Sequence, residues 1–231
     1  MNGHYTYLLI NGCTVIFPLA LSFDKRVRFF KSWKYILPGI LITGLFFLAW
    51  DVLFTLKGVW AFNPDKITGI YFFHLPLEEM LFFLTVPFAC VFIYACLNYY
   101  IQWQLPQRAV KIITTALYAT SAILLLVYND RLYTVVTFGV LLLLLILLQY
   151  FFKPHWLPRF YITYLVVLIP FFIINGLLTG IPVVIYNPAE NMNVHVGTIP
   201  LEDFFYLMAL VLMNVGFFEY FKPSDKQNKH D

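Results

Sequence analysis

Apolar residues run along this chain in blocks of about 20, the length that crosses the hydrocarbon core of a bilayer as a helix. The blocks lie near Tyr5–Leu21, Tyr35–Leu56, Met80–Tyr100, Val110–Tyr128, Leu132–Phe152, Tyr161–Ile181 and Phe204–Phe221. They are apolar on every side, with none of the alternation a membrane barrel requires. The pattern therefore predicts an all-α integral membrane protein with about seven transmembrane helices.

Composition sharpens this. Of 231 residues, 61% are hydrophobic and 12% charged, and the mean hydropathy is +0.77. A soluble domain is roughly half apolar and about a quarter charged, so too little polar surface exists here to coat a globule. The start, Met1-Asn2-Gly3-His4, lacks the basic region of a cleaved leader, so the first block is expected to stay. Cys13, Cys90 and Cys96 fall inside apolar blocks without metal-ligand spacing, and no metal site is expected.

Lys and Arg orient the spans. With the N-terminus outside, the inner loops and tail hold Lys25, Arg26, Arg28, Lys31, Lys34, Arg108, Lys111, Lys153, Arg159, Lys222, Lys226 and Lys229. Only Lys57, Lys66 and Arg131 then face out. The positive-inside rule thus predicts a multi-pass protein of the cell (inner) membrane, N-terminus outside and C-terminus cytoplasmic.

Two long loops repeat one another at a constant offset of 124 residues. Asn63-Pro64 matches Asn187-Pro188, and Pro76-Leu77-Glu78-Glu79 matches Pro200-Leu201-Glu202-Asp203. Asp51 matches Asn175, and Phe62 matches Tyr186. Three spans per copy would invert the second copy on direct fusion, and a fourth span restores its direction. The predicted order is a first repeat (1–104), a linker helix (105–130), a second repeat (131–221) and a polar tail (222–231). Matching residues should then lie at one depth, facing each other.

Five of the twelve acids collect at that depth. Asp51, Glu78, Glu79, Glu202 and Asp203 lie near span ends, and an acid within a bilayer costs several kcal/mol by most scales, so it tends to face the bundle interior. Pro76 and Pro200 are placed to open helices. Each acidic pair then sits at a helix start, where negative charge is favoured, so helix-capping acids are the plain alternative. Neighbours in a pair point roughly 100° apart, leaving one free to face inward while the other holds a cap or loop. Trp60, Phe82, Phe83 and Tyr206 stand at the same level, and Glu78/Phe82 and Glu202/Tyr206 are i, i+4 pairs. An acid beside a π surface is suited to making a carbocation and then stabilising it. His74 and His195 read as ordinary loop residues, Asn63 and Asn187 as turn residues fixing loop shape, and Glu219 as an interfacial charge.

The runs Trp60-Ala61-Phe62-Asn63-Pro64, Thr68-Gly69-Ile70 and Leu75-Pro76-Leu77-Glu78-Glu79-Met80-Leu81-Phe82-Phe83 resemble the membrane-embedded lycopene cyclases of the heterodimeric type, in a form with both halves fused. The second half is similar but looser, carried by Asn187-Pro188 and Pro200-Leu201-Glu202-Asp203-Phe204-Phe205. Val184 stands opposite Trp60 and Asn175 opposite Asp51, so unequal roles for the halves are expected. With a short polar tail from Lys222 to Asp231, the synthase domain that some fungal relatives carry is not expected here.

The resemblance implies cofactor-free, acid/base cyclisation of the ψ-ends of lycopene to ionone rings, chiefly β, without electron transfer. It nominates Glu78 and Glu202 as first acid/base candidates, Glu79 and Asp203 as second. Asp51, Asn175, Asn63, Asn187, Trp60, Phe82, Phe83 and Tyr206 are the supporting residues. The implied partners are a lipid-soluble carotenoid and membrane lipid, with other carotenoid-pathway enzymes as further candidates and no nucleic acid. The rival reading is a small three-plus-one-plus-three transporter of the sugar-facilitator type.

Overall fold

The computed structural model describes residues 3–223; the remainder of the polar tail lies outside the described residues. Among the described residues, seven helices are long and apolar enough to cross a membrane. They are α1 (Thr6–Leu21), α2 (Trp33–Leu56), α3 (Leu77–Tyr100), α4 (Gln107–Val127), α5 (Leu132–Ile146, continued by a π-helical segment to Phe152), α6 (Leu157–Gly180) and α7 (Leu201–Phe221). All seven expected spans are present. α7 is the most enclosed, followed by α2 and α3, whereas α1 and α4 show most of their surface outward, as lipid-facing helices must.

Small residues set the closest helix approach. At Gly39 on α2 a Cβ would lie 2.9 Å from Phe217 Cβ on α7, so only glycine lets these helices pass at this distance. The main core follows the α2–α3–α7 seam through Phe47, Phe83, Val91, Leu210 and Val211 and continues onto α5 at Leu141 and α6 at Phe160.

The loops at one end of the bundle are folded, and they display the repeat directly. Strands β1 (Trp60–Phe62) and β4 (Val184–Tyr186) pair antiparallel, with Trp60 opposite Tyr186, Ala61 opposite Ile185 and Phe62 opposite Val184. Residues related by the 124-residue offset thereby exchange places about an axis through the Ala61–Ile185 pair. The flanking bonds obey the same exchange: Asn63 N–H donates to Val183 O and Asn187 N–H to Val59 O, both at 2.9 Å. The repeats are therefore parallel copies about a pseudo-two-fold axis, with α4 outside both.

Each repeat then forms a short hairpin leading into its long helix. These are β2 (Tyr71–Phe72) with β3 (Leu75–Pro76), and β5 (His195–Val196) with β6 (Ile199–Pro200). The first turn holds Phe73 and His74 at positive φ, so His74 serves the turn, as expected of a loop residue. Gly69 and its equivalent Asn193 both adopt the left-handed region, with φ of 79° and 55°, where glycine and asparagine are best tolerated.

Candidate active site

Pro76 and Pro200 are extended residues immediately preceding α3 and α7, so both acidic pairs fall in a first helical turn. The two members of each pair part company there. Glu78 turns to its own loop, its Oε1 accepting the Thr68 N–H at 2.7 Å. Glu202 does the same, accepting from the Met192 N–H at 2.6 Å and from Thr134 Oγ1 at 2.7 Å. Thr68 and Met192 are themselves repeat equivalents, so one loop-to-helix tie occurs in both halves. Both carboxylates are fully buried.

Glu79 and Asp203 point instead into a cavity of about 60 Å³ between the repeats. Asp51, Asn175, Tyr7, Trp60, Phe82, Tyr133, Tyr186 and Tyr206 also line it. No lysine, arginine or histidine is among its lining residues, so these carboxyls are balanced by hydrogen bonds rather than by cations.

The two halves balance them differently. Asp203 accepts three hydrogen bonds: from Tyr133 Oη at 2.6 Å, Asn175 Nδ2 at 2.6 Å and Tyr186 Oη at 2.8 Å. Three donors thus converge on this one carboxyl and fix its orientation. Glu79 accepts from Tyr7 Oη at 2.6 Å and lines the same cavity as Asp51, the other acid of the first repeat. Two carboxyls side by side can hydrogen-bond to one another only when one of them carries a proton. Asp51 also accepts from Tyr206 Oη at 2.8 Å, across the repeat boundary. The Asp51/Asn175 difference thus gives a symmetric scaffold two acids on one side of the cavity and a single acid, held by an amide and two phenols, on the other.

Aromatic rings form the remaining wall. Trp60 stands edge-on to Tyr133 at 5.3 Å and to Tyr206 at 6.3 Å, and Tyr133 stacks on Tyr186 at 6.0 Å. Such π faces attract positive charge in a desolvated site. Tyr186 lies outside the helices, and burial, reinforced by the neighbouring Asp203 carboxylate, pushes its hydroxyl well above the ordinary 10.0. It stays a donor through the neutral range.

Of the residues singled out in the sequence, Glu79, Asp203, Asp51, Asn175, Trp60, Phe82 and Tyr206 come together on the cavity. Glu78 and Glu202 lie behind it in the loop ties. Phe83 is buried beneath the cavity against Phe47, at 6.0 Å. Asn63 and Asn187 shape the loops, each side chain accepting the N–H two residues on at 3.0 Å, as their turn reading required. Trp60 faces Tyr186 across the ladder rather than Val184. Tyr7 and Tyr133 were missed: they are counterparts on α1 and α5 but 126 residues apart, so a search at the loop offset passes them by. Glu219, read as an interfacial charge, accepts from Tyr94 Oη at 2.8 Å.

Paired buried carboxyls and a cation-tolerant aromatic wall inside a membrane bundle define an enzyme-like site for an apolar substrate. A family model described as "Lycopene cyclase" matches residues 4–97 and 130–221, one segment per repeat. The chain belongs to this lycopene cyclase family, a multi-pass membrane family of carotenoid biosynthesis, and membership implies cyclase activity on a lipophilic carotenoid. The match lends no support to the transporter reading. Comparison with curated proteins and with solved structures gave no match.

Proposed function

We propose that this chain is an intramolecular isomerase that closes the open ψ-ends of lycopene into β-rings by proton transfer, with Glu79 and Asp51 as the acid pair and Asp203 as the base. The observation carrying this is the unequal furnishing of the two halves, two acids of the first repeat sharing a cavity with a triply hydrogen-bonded carboxyl of the second. Glu79 delivers the shared proton to the terminal double bond, leaving a tertiary carbocation. The next double bond attacks that carbon, closing the ring and moving the positive charge onto it. Trp60, Tyr133, Tyr186 and Tyr206 offer their π faces to the cation. Asp203 then removes a proton from the adjacent carbon, forming the ring double bond. One proton enters and one leaves, so the product is an isomer and no electrons are exchanged.

In this reading Glu78 and Glu202, the first candidates of the sequence, hold the loops that roof the cavity, and the second candidates perform the chemistry. The site lies toward the outer face, the N-terminus outside and the C-terminus cytoplasmic, because twelve of the fifteen basic residues then lie inside. The chain divides into repeats 1–104 and 131–221 about the linker 105–130.

Pigment analysis after expression in lycopene-producing bacteria tests the proposal. Monocyclic and bicyclic carotenoids are expected with the unaltered chain, and lycopene alone with Glu79→Gln or Asp203→Asn at equal protein levels. Full ring formation by both variants would overturn the acid/base assignment.

A further inference from the structure

A stripe of side chains descends α3 from Glu79 through Phe82, Val86, Ala89 and Ile93, at the three- and four-residue spacing of one helix face. Opposite it, Val167, Phe171 and Ile174 descend α6. Between them, with Thr14 of α1 at the edge, runs a second cavity of about 40 Å³. It shares Phe82, Phe171, Asn175 and Leu207 with the acid cavity, so the two adjoin across these side chains. From Glu79 to Ile93 the stripe covers about 21 Å of helix.

The pseudo-two-fold axis gives this groove a counterpart between α7 and α2, where bulkier side chains stand at several of the equivalent positions. Trp50 stands where the groove has Ile174, Phe83 where it has Leu207, Met213 where it has Ala89, and Phe217 where it has Ile93. Trp50 stacks on Phe47 at 5.3 Å and meets Tyr206 edge-on at 4.9 Å, closing that side. The repeats thus share a backbone plan and differ in the side chains that line the two grooves.

We infer that the α3/α6 groove is the binding channel for the unsaturated shaft of the substrate, and that the chain end reaches the acid cavity by this route alone, with Ala89 and Ile174 setting its bore. The inference rests on the proposed cyclase reading. The occupant is an extended hydrocarbon because the groove wall is apolar apart from Thr14 and Asn175 and joins the acid cavity end to end. Both cavities are smaller than a branched chain end, so Phe82 and Phe171, each half-buried at their junction, swing aside to admit it.

Two substitutions fill the groove: Ala89→Phe, and Ile174→Trp, which copies the tryptophan of the closed side. Each is expected to cut ring formation by about tenfold or more while the purified protein keeps its monodisperse elution and melting behaviour. Phe46→Ala, at the equivalent of Pro170 on the closed side and exposed on α2, is expected to leave ring formation unchanged. Binding is read separately from chemistry in the Glu79→Gln background, as lycopene co-purifying per protein. That pigment should be retained by Glu79→Gln and lost when Ala89→Phe or Ile174→Trp is added. Retention in both double variants, or wild-type activity in both single ones, overturns the channel. Wild-type activity of Glu79→Gln overturns the acid assignment and leaves the pigment test of the channel standing in the unaltered background.

Discussion

Tyr206 on α7 donates a 2.8 Å hydrogen bond to Asp51 on α2, joining residues 155 positions apart and belonging to different repeats. Through this bond the second repeat holds the acid pair of the first. Tyr206→Phe keeps the ring and removes the donor, so Asp51 loses a partner while the π wall remains. A fall in ring formation of about tenfold is expected, the worth of one hydrogen bond to a charged group. Tyr206→Ala, which also removes the π face, should lose a further factor of about ten. Pigment ratios at matched protein levels check both.

Asp51→Asn gives the first half the residue the second half carries at Asn175. The amide can still hydrogen-bond to Glu79 but has no acid proton to share. Ring formation should fall by at least about 100-fold, the usual share of general acid catalysis, without loss of thermal stability.

The members of each acidic pair should separate cleanly by phenotype. Glu78→Ala leaves the partly buried Thr68 N–H without its acceptor, at a cost of about 1 kcal/mol of stability, and activity should track the folded fraction. Glu79→Gln should keep its melting temperature and lose activity by about 10²–10⁴. Thermal melts of purified protein beside pigment yields distinguish the two.

Tyr186 supplies a pH signature. Its hydroxyl is held above 10.0 by burial and by Asp203, so the folded state keeps a proton that the unfolded chain releases above about pH 10. Its stabilising contribution is therefore complete below that pH and declines as pH rises beyond it. The melting temperature of the unaltered protein should fall more steeply above pH 10 than that of Tyr186→Phe.

A single proton-holding half and a single channel imply one ring per binding event. In a time course with lycopene, monocyclic product should build up before bicyclic product, and excess lycopene should delay the second ring. Simultaneous appearance of both from the first turnover would contradict this.

Much of this protein is written in its sequence. The seven spans follow from uninterrupted apolar blocks, because a backbone in hydrocarbon must satisfy itself within a helix. The repeat is visible as a constant offset through Asn63/Asn187 and Pro76/Pro200, since equal loop geometry keeps equal spacing. Depth is legible too: acids, prolines and aromatics recur at the same ends of the same spans. What the chain alone left open was direction. Glu78 and Glu79 are adjacent and chemically alike, and roughly 100° of helical rotation sends one to a loop amide and the other to the cavity. Tyr7 and Tyr133 enter the site only because α1 and α5 pack beside α3 and α7. Ile174 and Trp50, equivalents in the two repeats, wall two different grooves only because α6 packs on α3 and α2 on α7. Periodicity and composition report what a residue prefers, whereas packing between distant segments decides what it touches.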